Sequence, residues 1–412
     1  MLSVAEARDR LLANFSPLGT IKAPLAQAIG KVLADEIVAQ FDLPPFRNAS
    51  MDGFAICYAD LVGISRENPG KLRVVADIPA GQVALVKILR GQAARIMTGA
   101  PVPEGSDAVI PVEDTDFNQR QPGLAPPEWV KVYKEMKPGE NIRSQGQDVY
   151  EGEDVMQPGH RIRPQDVGFL AMLGVAEVPV HRSPRIAIFS TGDELIPVDS
   201  PLIAGKIHDS NTYTLVALVE QYGGIPLNLG IVPDQAEAVK ECLDLAVAKE
   251  ADLILSSAGV SVGAFDFVRN VVEQYGLLSF WRVNMRPGKP LAVGEYLGTP
   301  FVGLPGNPVS AFVGFEVFVR PAIMKMAGIT FLNHLTQAVF LLEPIESDGR
   351  ESYLRAIVEN RDGRLAAYLT GHQGSGNLRS LVQANALLLI PSGVKSLPAG
   401  AEVAAWFLGE VC

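Results

Sequence analysis

Two glycine-rich loops lie where a phosphorylated ligand could be held. ADLILSSAGVSVGAFDFVRNVVEQYG runs from Ala251 to Gly276, and TPFVGLPGNPVSAFVGFEVFVRP from Thr299 to Pro321. In each, an apolar strand-like run yields to glycine and small side chains before a helical period begins. The first loop presents Ser257, Gly259, Ser261 and Gly263; the second presents Pro305, Gly306 and Asn307. Glycine lets a ligand approach the backbone closely, hydroxyls add donors, and N–H groups at a helix start stabilise an anion. Either loop alone reads as a tight strand-to-helix turn. Two of them in one open α/β sheet point to a phosphorylated ligand across the carboxyl ends of the strands.

Acids and bases flank these loops. Asp266 immediately precedes the helix after the first loop, where it serves as an N-cap or as a Mg²⁺ ligand beside a phosphate. Glu194, in STGDEL, lies past the end of an earlier strand, and Asp209, in HDSN, precedes a helix that it can cap. Carboxylates gathered at one crevice repel unless a cation joins them. Mg²⁺ is therefore expected, with Glu194 and Asp266 as its ligands. Arg282, Arg286 and Lys289 fall within eight residues, on RVNMRPGKP. They form either a solvated charged turn or a clamp for an oxyanion. Asp52 (SMDGFA), Thr98 (RIMTG), Arg143 and Asp148 (NIRSQGQD) lie outside this region; on physical grounds alone they are turn or strand-end residues. The five histidines lack metal-binding spacing, and no GxSxG motif or Cys/His pair supports acyl chemistry.

The elements that must position these residues are legible as periods. Residues 3–15 and 23–39 read as short amphipathic helices, the second from Leu25, Ile29 and Leu33. LRVVADI, ARIMTG, DAVIPVEDT and EWVKVYK alternate with Pro/Gly turns as short strands do. RPQDVGFLAMLGV reads as a helix. Between 185 and 325, strands and 10–15-residue helices alternate, implying a doubly wound, parallel or mixed sheet. PVSAFVGFEVFVRPAIMKMAG reads as its last helix, and β-rich text beyond Ile329 implies a small barrel. The fold class is thus multidomain α/β: residues 1–45 with 142–180 helical and mixed, 46–141 β-rich, 181–327 doubly wound α/β, and 328–412 a C-terminal small β-barrel.

At 412 residues the chain exceeds one ordinary core, and 48% hydrophobic residues favour packed domains over disorder. A net charge of −11 argues against a generic binder of nucleic acid or acidic membranes. Three scattered cysteines give no zinc signature and suit a reducing compartment. There is no signal-peptide pattern and no apolar run of membrane-spanning length. A cytoplasmic protein is expected.

The strings SMDGFA, RIMTGAPVPEGSDAVIPVEDT, NIRSQGQDV, STGDEL, DSN, LSSAGVSVGAFDF, RPGKP and GLPGNPVSAF occur in this order. Together they closely resemble the molybdopterin molybdenumtransferase (molybdate insertase) family, which includes the C-terminal domain of gephyrin. The resemblance covers essentially the whole chain. It implies insertion of molybdate into adenylylated molybdopterin, with Mg²⁺-dependent cleavage of the adenylate and release of molybdenum cofactor and AMP. It implies a homodimer, dimerising through residues 1–45 and 142–180, in which the α/β domain binds the pterin and the partner's β-rich domain closes a composite active site. By motif, Asp52, Thr98, Asp148, Glu194, Asp209, Asp266, Arg282 and Arg286 become catalytic positions. Arg143 and Lys289 join the two glycine loops as ligand-binding positions. A molybdopterin adenylyltransferase and molybdoenzyme maturation proteins are the implied partners, without nucleic acid or membrane. Two departures stand out. Arg282 and Arg286 replace the family's frequent lysines, which keeps charge but not ready proton donation. SSAG replaces the commoner SSGG, placing the Ala258 methyl in the cradle and narrowing it. A non-catalytic pterin-binding scaffold and a nucleotide pyrophosphatase with a similar α/β domain are the alternatives.

Overall fold

The computed structural model describes residues 1–117, 124–259, 267–331 and 333–408. The chain divides into two compact units: Met1–Ala34 with Pro158–Val167 and Glu177–Cys412, and Asp35–Gln157 with Gly168–Ala176.

In the first unit a helix, α1 (Val4–Leu12), opens on a capping box. The Ser3 hydroxyl accepts the Glu6 N–H at 3.2 Å, and the Glu6 carboxylate accepts the Ser3 N–H at 2.9 Å. The expected helix over 23–39 does not form. Thr20–Pro24 is a strand paired with Glu177–His181, and only one 3₁₀ turn, Leu25–Gln27, follows. The apparent helical stripe was misleading, because Ile29 is exposed while Ala28, Val32 and Leu33 are buried. Gly30 ends the turn in the left-handed region, φ +76°.

The α/β text folds as read. Strands β1 (Arg185–Thr191), β2 (Ile225–Val232), β3 (Leu253–Ser257), β4 (Gly276–Arg282), β5 (Pro290–Tyr296) and β6 (Thr299–Leu304) form one sheet in the order β2-β1-β3-β6-β5-β4. β2, β1, β3 and β6 are mutually parallel, while β5 runs antiparallel to both of its neighbours. Alternation along the strands buries both faces. Ile186, Ile188, Leu253 and Leu255 pack with Leu215 and Val219 of α2 (Asn211–Gln221) and with the C-terminal helices. Ala187, Phe189 and Ile254 pack with Val239 and Leu243 of α3 (Ala236–Ala248) and Val268 and Val271 of α4 (Phe267–Tyr275). Two-sided burial explains why these strands read as continuous apolar runs.

The last helix is interrupted. α5 (Pro308–Gly314) widens into a π turn, Phe315–Val319, before α6 (Arg320–Met326). Pro321 lacks an amide donor, so the ladder shifts register ahead of it. Beyond it, β7 (Thr336–Leu341), β8 (Glu351–Arg361), β9 (Arg364–Leu369), β10 (Ala386–Ile390) and β11 (Glu402–Phe407) close in a ring, β8-β9-β7-β11-β10, with β10 pairing back to β8.

In the second unit all four anticipated β runs are strands. The sheet order is Ala108–Pro111, Gly53–Ile56, Gln92–Ile96, Gly70–Ile78, Trp129–Val132. Among the described residues no helix is long and apolar enough to cross a membrane.

Gly53 lies between two strands, and a Cβ there would come 2.0 Å from the Ile110 carbonyl oxygen. Gly53→Ala is expected to destabilise this unit by about 1–3 kcal/mol, as overpacking does. Its urea midpoint should fall at constant slope; an unchanged midpoint would show that the strands part without cost.

Candidate active site

The order of the parallel strands reverses between β1 and β3, since β2 lies on one side of β1 and β3 on the other. Ligands of open α/β sheets bind outside the carboxyl ends at such a point. A cavity of about 900 Å³ opens there. Thr191 and Glu194 line it from the end of β1, Ser257, Ala258 and Gly259 from β3, and Pro305, Gly306 and Asn307 from β6.

Asn211, at the start of α2 and 9% exposed, joins the two glycine loops. Its Nδ2 donates to Ser257 Oγ and to the Gly306 carbonyl, each at 2.7 Å. A carbonyl can only accept, so the amide nitrogen must be the atom facing it. Among the described residues, no donor reaches the buried Asn211 Oδ1.

Asp209 is buried beside it. Its Oδ1 accepts the Thr212 N–H at 3.1 Å and the Ser190 hydroxyl at 3.2 Å. It therefore caps α2 while also lining the cavity. Glu194 is exposed and folds back over Gly192, where φ is +149° and a Cβ would meet Glu194 Oε2 at 2.6 Å. Asp234, just past β2, was not singled out in the sequence because a lone acid after a strand carries no motif. Burial, and then the negative charge of Asp193 and of Glu194, push its carboxyl above the usual range. Among the described residues no three His, Cys, Asp or Glu side chains are close enough to hold a metal. Ser261, Gly263 and Asp266 lie outside the described residues.

The opposite wall is basic. Arg286 and Lys289 line the cavity; Arg282 closes β4, opposite Pro290, and is not among the lining residues. The RVNMRPGKP stretch is partly a strand, for Met285–Arg286 pairs in parallel with Glu351–Ser352 of β8. The barrel thereby adds residues that sequence reasoning missed. Arg350 lines the cavity, donates to the Met285 carbonyl at 3.0 Å and pairs with Asp348. The Arg350 hydrogen bonds, helped by Arg286, hold the Asp348 carboxyl below its ordinary value. Gln373, Gly374, Ser375 and Gly376 form a third glycine-bearing lining segment. Its signal, GHQGSGN, was visible, but it sits between barrel strands and not at a strand-to-helix turn. Arg355, 1% exposed, anchors it by donating to the Gly374 carbonyl and Ser380 Oγ, each at 3.0 Å. Burial, and then repulsion from Arg286, push its guanidinium down to about 10.

In the second unit Asp52 Oδ1 accepts both the N–H and the hydroxyl of Thr98, each at 2.7 Å. Arg143 pairs with Asp148. Asp52, Thr98 and Asp148 are exposed.

Family models match along the chain: the MoeA N-terminal region (domain I and II) over residues 2–174, a probable molybdopterin binding domain over 187–325, and the MoeA C-terminal region (domain IV) over 338–408. The chain is 38% identical to molybdopterin molybdenumtransferase 2 of Mycobacterium tuberculosis, covering 99% of this chain and all of the relative. It is 38% identical to the molybdopterin molybdenumtransferase of a Nostoc species, over 91% and 86% of the two chains. A molybdopterin biosynthesis moeA protein from Pyrococcus horikoshii, 33% identical, superposes with a TM-score of 0.80 over 99% of this chain and all of that one.

Asn211→Ala removes two buried hydrogen bonds. The expected cost is about 1–3 kcal/mol of stability, with weaker binding of inorganic phosphate, read by thermal melting and calorimetry. Wild-type values for both would show that the loops hold without the amide.

Proposed function

The chain belongs to the molybdopterin molybdenumtransferase family, and on that premise we propose that its cavity binds adenylylated molybdopterin and inserts molybdate while the adenylate is cleaved. It is a transferase of molybdenum cofactor biosynthesis. The observation that carries the finer reading is the opposition of charge across one cavity, with Glu194 and Asp209 on one side and Arg286, Lys289 and Arg350 on the other.

A phosphoanhydride needs positioning and charge neutralisation more than covalent help. The glycine loops offer backbone donors to phosphate oxygens. Arg286 and Lys289 would take up charge that develops on the leaving AMP, and Arg286 would do so without yielding a proton. Molybdate, a tetrahedral dianion, suits the same donors.

The acids fit Mg²⁺. They are hard oxygen donors, and Glu194 lines the cavity. Mg²⁺ is commonly held by one or two carboxylates with substrate phosphates completing the shell. Glu194 and Asp266 would supply those carboxylates, and the ion would neutralise phosphate charge. In this reading the reaction runs in the cytoplasm, with an adenylyltransferase supplying the substrate and maturation proteins receiving the product.

Incubation with adenylylated molybdopterin, molybdate and Mg²⁺ should release AMP together with the loaded cofactor. Binding without AMP would favour a scaffold. AMP release without incorporation of molybdate would favour a pyrophosphatase.

The reading extends to a homodimer in which Asp52, Thr98, Arg143 and Asp148 complete the partner's site. Their support is that both polar pairs are exposed and already ordered by their own contacts. Asp52→Ala and Asp266→Ala should each be inactive as homodimers. After subunit exchange at 1:1, half the dimers are mixed and each carries one intact site, so roughly a quarter of the activity should return. Differently tagged subunits verify exchange, and inactive mixed dimers would place both residues in one chain's site.

A further inference from the structure

Glu316 is a buried carboxylate that no step of the proposed reaction uses. It is 2% exposed and lies in the π turn that interrupts the last helix, a distortion found frequently at functional sites. A buried charge persists only where partners answer it, and Glu316 has several. The Tyr222 hydroxyl donates to both carboxylate oxygens, at 3.0 and 3.1 Å. His334 Nε2 lies 3.1 Å from Oε2, and Arg320 Nε lies 4.0 Å from the same oxygen. Burial, and then the charge of Glu316, raise the Tyr222 hydroxyl above its ordinary value, so it remains a donor.

These partners lead back to the walls of the cavity. Tyr222 closes α2, whose first residue is Asn211, the amide that joins the two glycine loops. Glu316 itself lies about two turns along the helical run that begins at Pro308, directly after the second glycine loop. His334 stands just before β7, where the barrel begins, and its ring stacks on Trp406 of β11 with 4.2 Å between centroids. The barrel in turn supplies Arg350 and residues 373–376 to the lining. At the cavity end it is tied to this helical run through Ser375. Asn307 Nδ2 donates to Ser375 Oγ at 3.0 Å, and the Val309 N–H to the Ser375 carbonyl at 3.1 Å. Further along the run, Glu316 holds His334. One carboxylate thus grips both the helix that clamps the glycine loops and the segment that leads into the barrel.

We propose that Glu316 is a positioning residue for the reaction: by holding Tyr222 and His334 at once, it sets the spacing between the glycine loops and the basic wall. This rests on the reading that Arg286, Lys289 and Arg350 receive an oxyanion.

The test uses molybdate as the probe, with Kd measured by calorimetry well below the melting temperature of each variant. Glu316→Gln keeps the size and an acceptor for Tyr222 but loses the charge that faces His334 and Arg320. It should raise the Kd about tenfold, within the usual range of coupling between sites. In the assay of AMP release it should raise KM for molybdate far more than it lowers kcat. A carboxylate that serves stability alone would lower the melting temperature and the active fraction, so that kcat falls and KM stays. The decisive comparison is a double-mutant cycle with Arg350→Gln. Arg350→Gln should weaken molybdate binding in the wild-type background, and by a factor about fivefold smaller in Glu316→Gln, because the wall has already moved. His334→Phe keeps a ring on Trp406 and removes the nitrogen that faces Glu316; it carries the same cycle where Glu316→Gln does not fold. Factors that simply multiply overturn the positioning role. If Arg350→Gln leaves molybdate binding unchanged in the wild type, the reading of the basic wall is overturned, and the inference with it.

Discussion

The side-chain amide of Asn211 is the constraint on which the site depends. Three loops end at the switch point of the sheet, and each carries backbone groups that regular pairing has left behind. One amide nitrogen links two of them while belonging to the helix that starts the third. Asp209 fixes the start of that helix by accepting the Thr212 N–H and the Ser190 hydroxyl, so the amide is held from below. A buried polar network of this kind is costly when partly satisfied, and Asn211 Oδ1 lacks a donor among the described residues. The site is thus ordered enough to hold the loops and incomplete enough to take a polar ligand.

Charge is sorted by topology. Acids follow β1 and β2, on one side of the switch point, and the lining cations come from the segment before β5 and from the barrel. Away from the lining itself, the Asp234 carboxyl is pushed up and the Arg355 guanidinium down. Each group is disfavoured in its charged form by burial and by a neighbour of like sign.

Much of this was legible because local rules and global fold agree. The strands of the α/β domain are buried on both faces, so their apolar runs stood out, and both glycine loops follow such runs. The second N-terminal helix failed for the opposite reason: Leu25, Ile29 and Leu33 imitate a helical stripe, but Ala23–Pro24, Val32, Leu33 and Ile37–Val38 each pair with other segments of the chain. Asp234 and Arg350 carry no motif, and the glycine-bearing 373–376 segment lies between barrel strands instead of at a strand-to-helix turn. Their place depends on which strands become neighbours and on how the barrel folds back on the α/β domain. Asn211 was within sight, in the DSN string, yet nothing in its type distinguished a helix-start asparagine from a clamp.

Arg286 sits on a two-residue strand that extends the barrel sheet, and Arg350, one residue before β8, donates to the neighbouring Met285 carbonyl. The basic wall is therefore a seam between α/β domain and barrel, not a feature of either. Arg355 reinforces the seam from inside the barrel by holding the segment whose Ser375 bonds Asn307 at 3.0 Å. The second glycine loop is consequently gripped from both sides, by Asn211 through Gly306 and by Ser375 through Asn307.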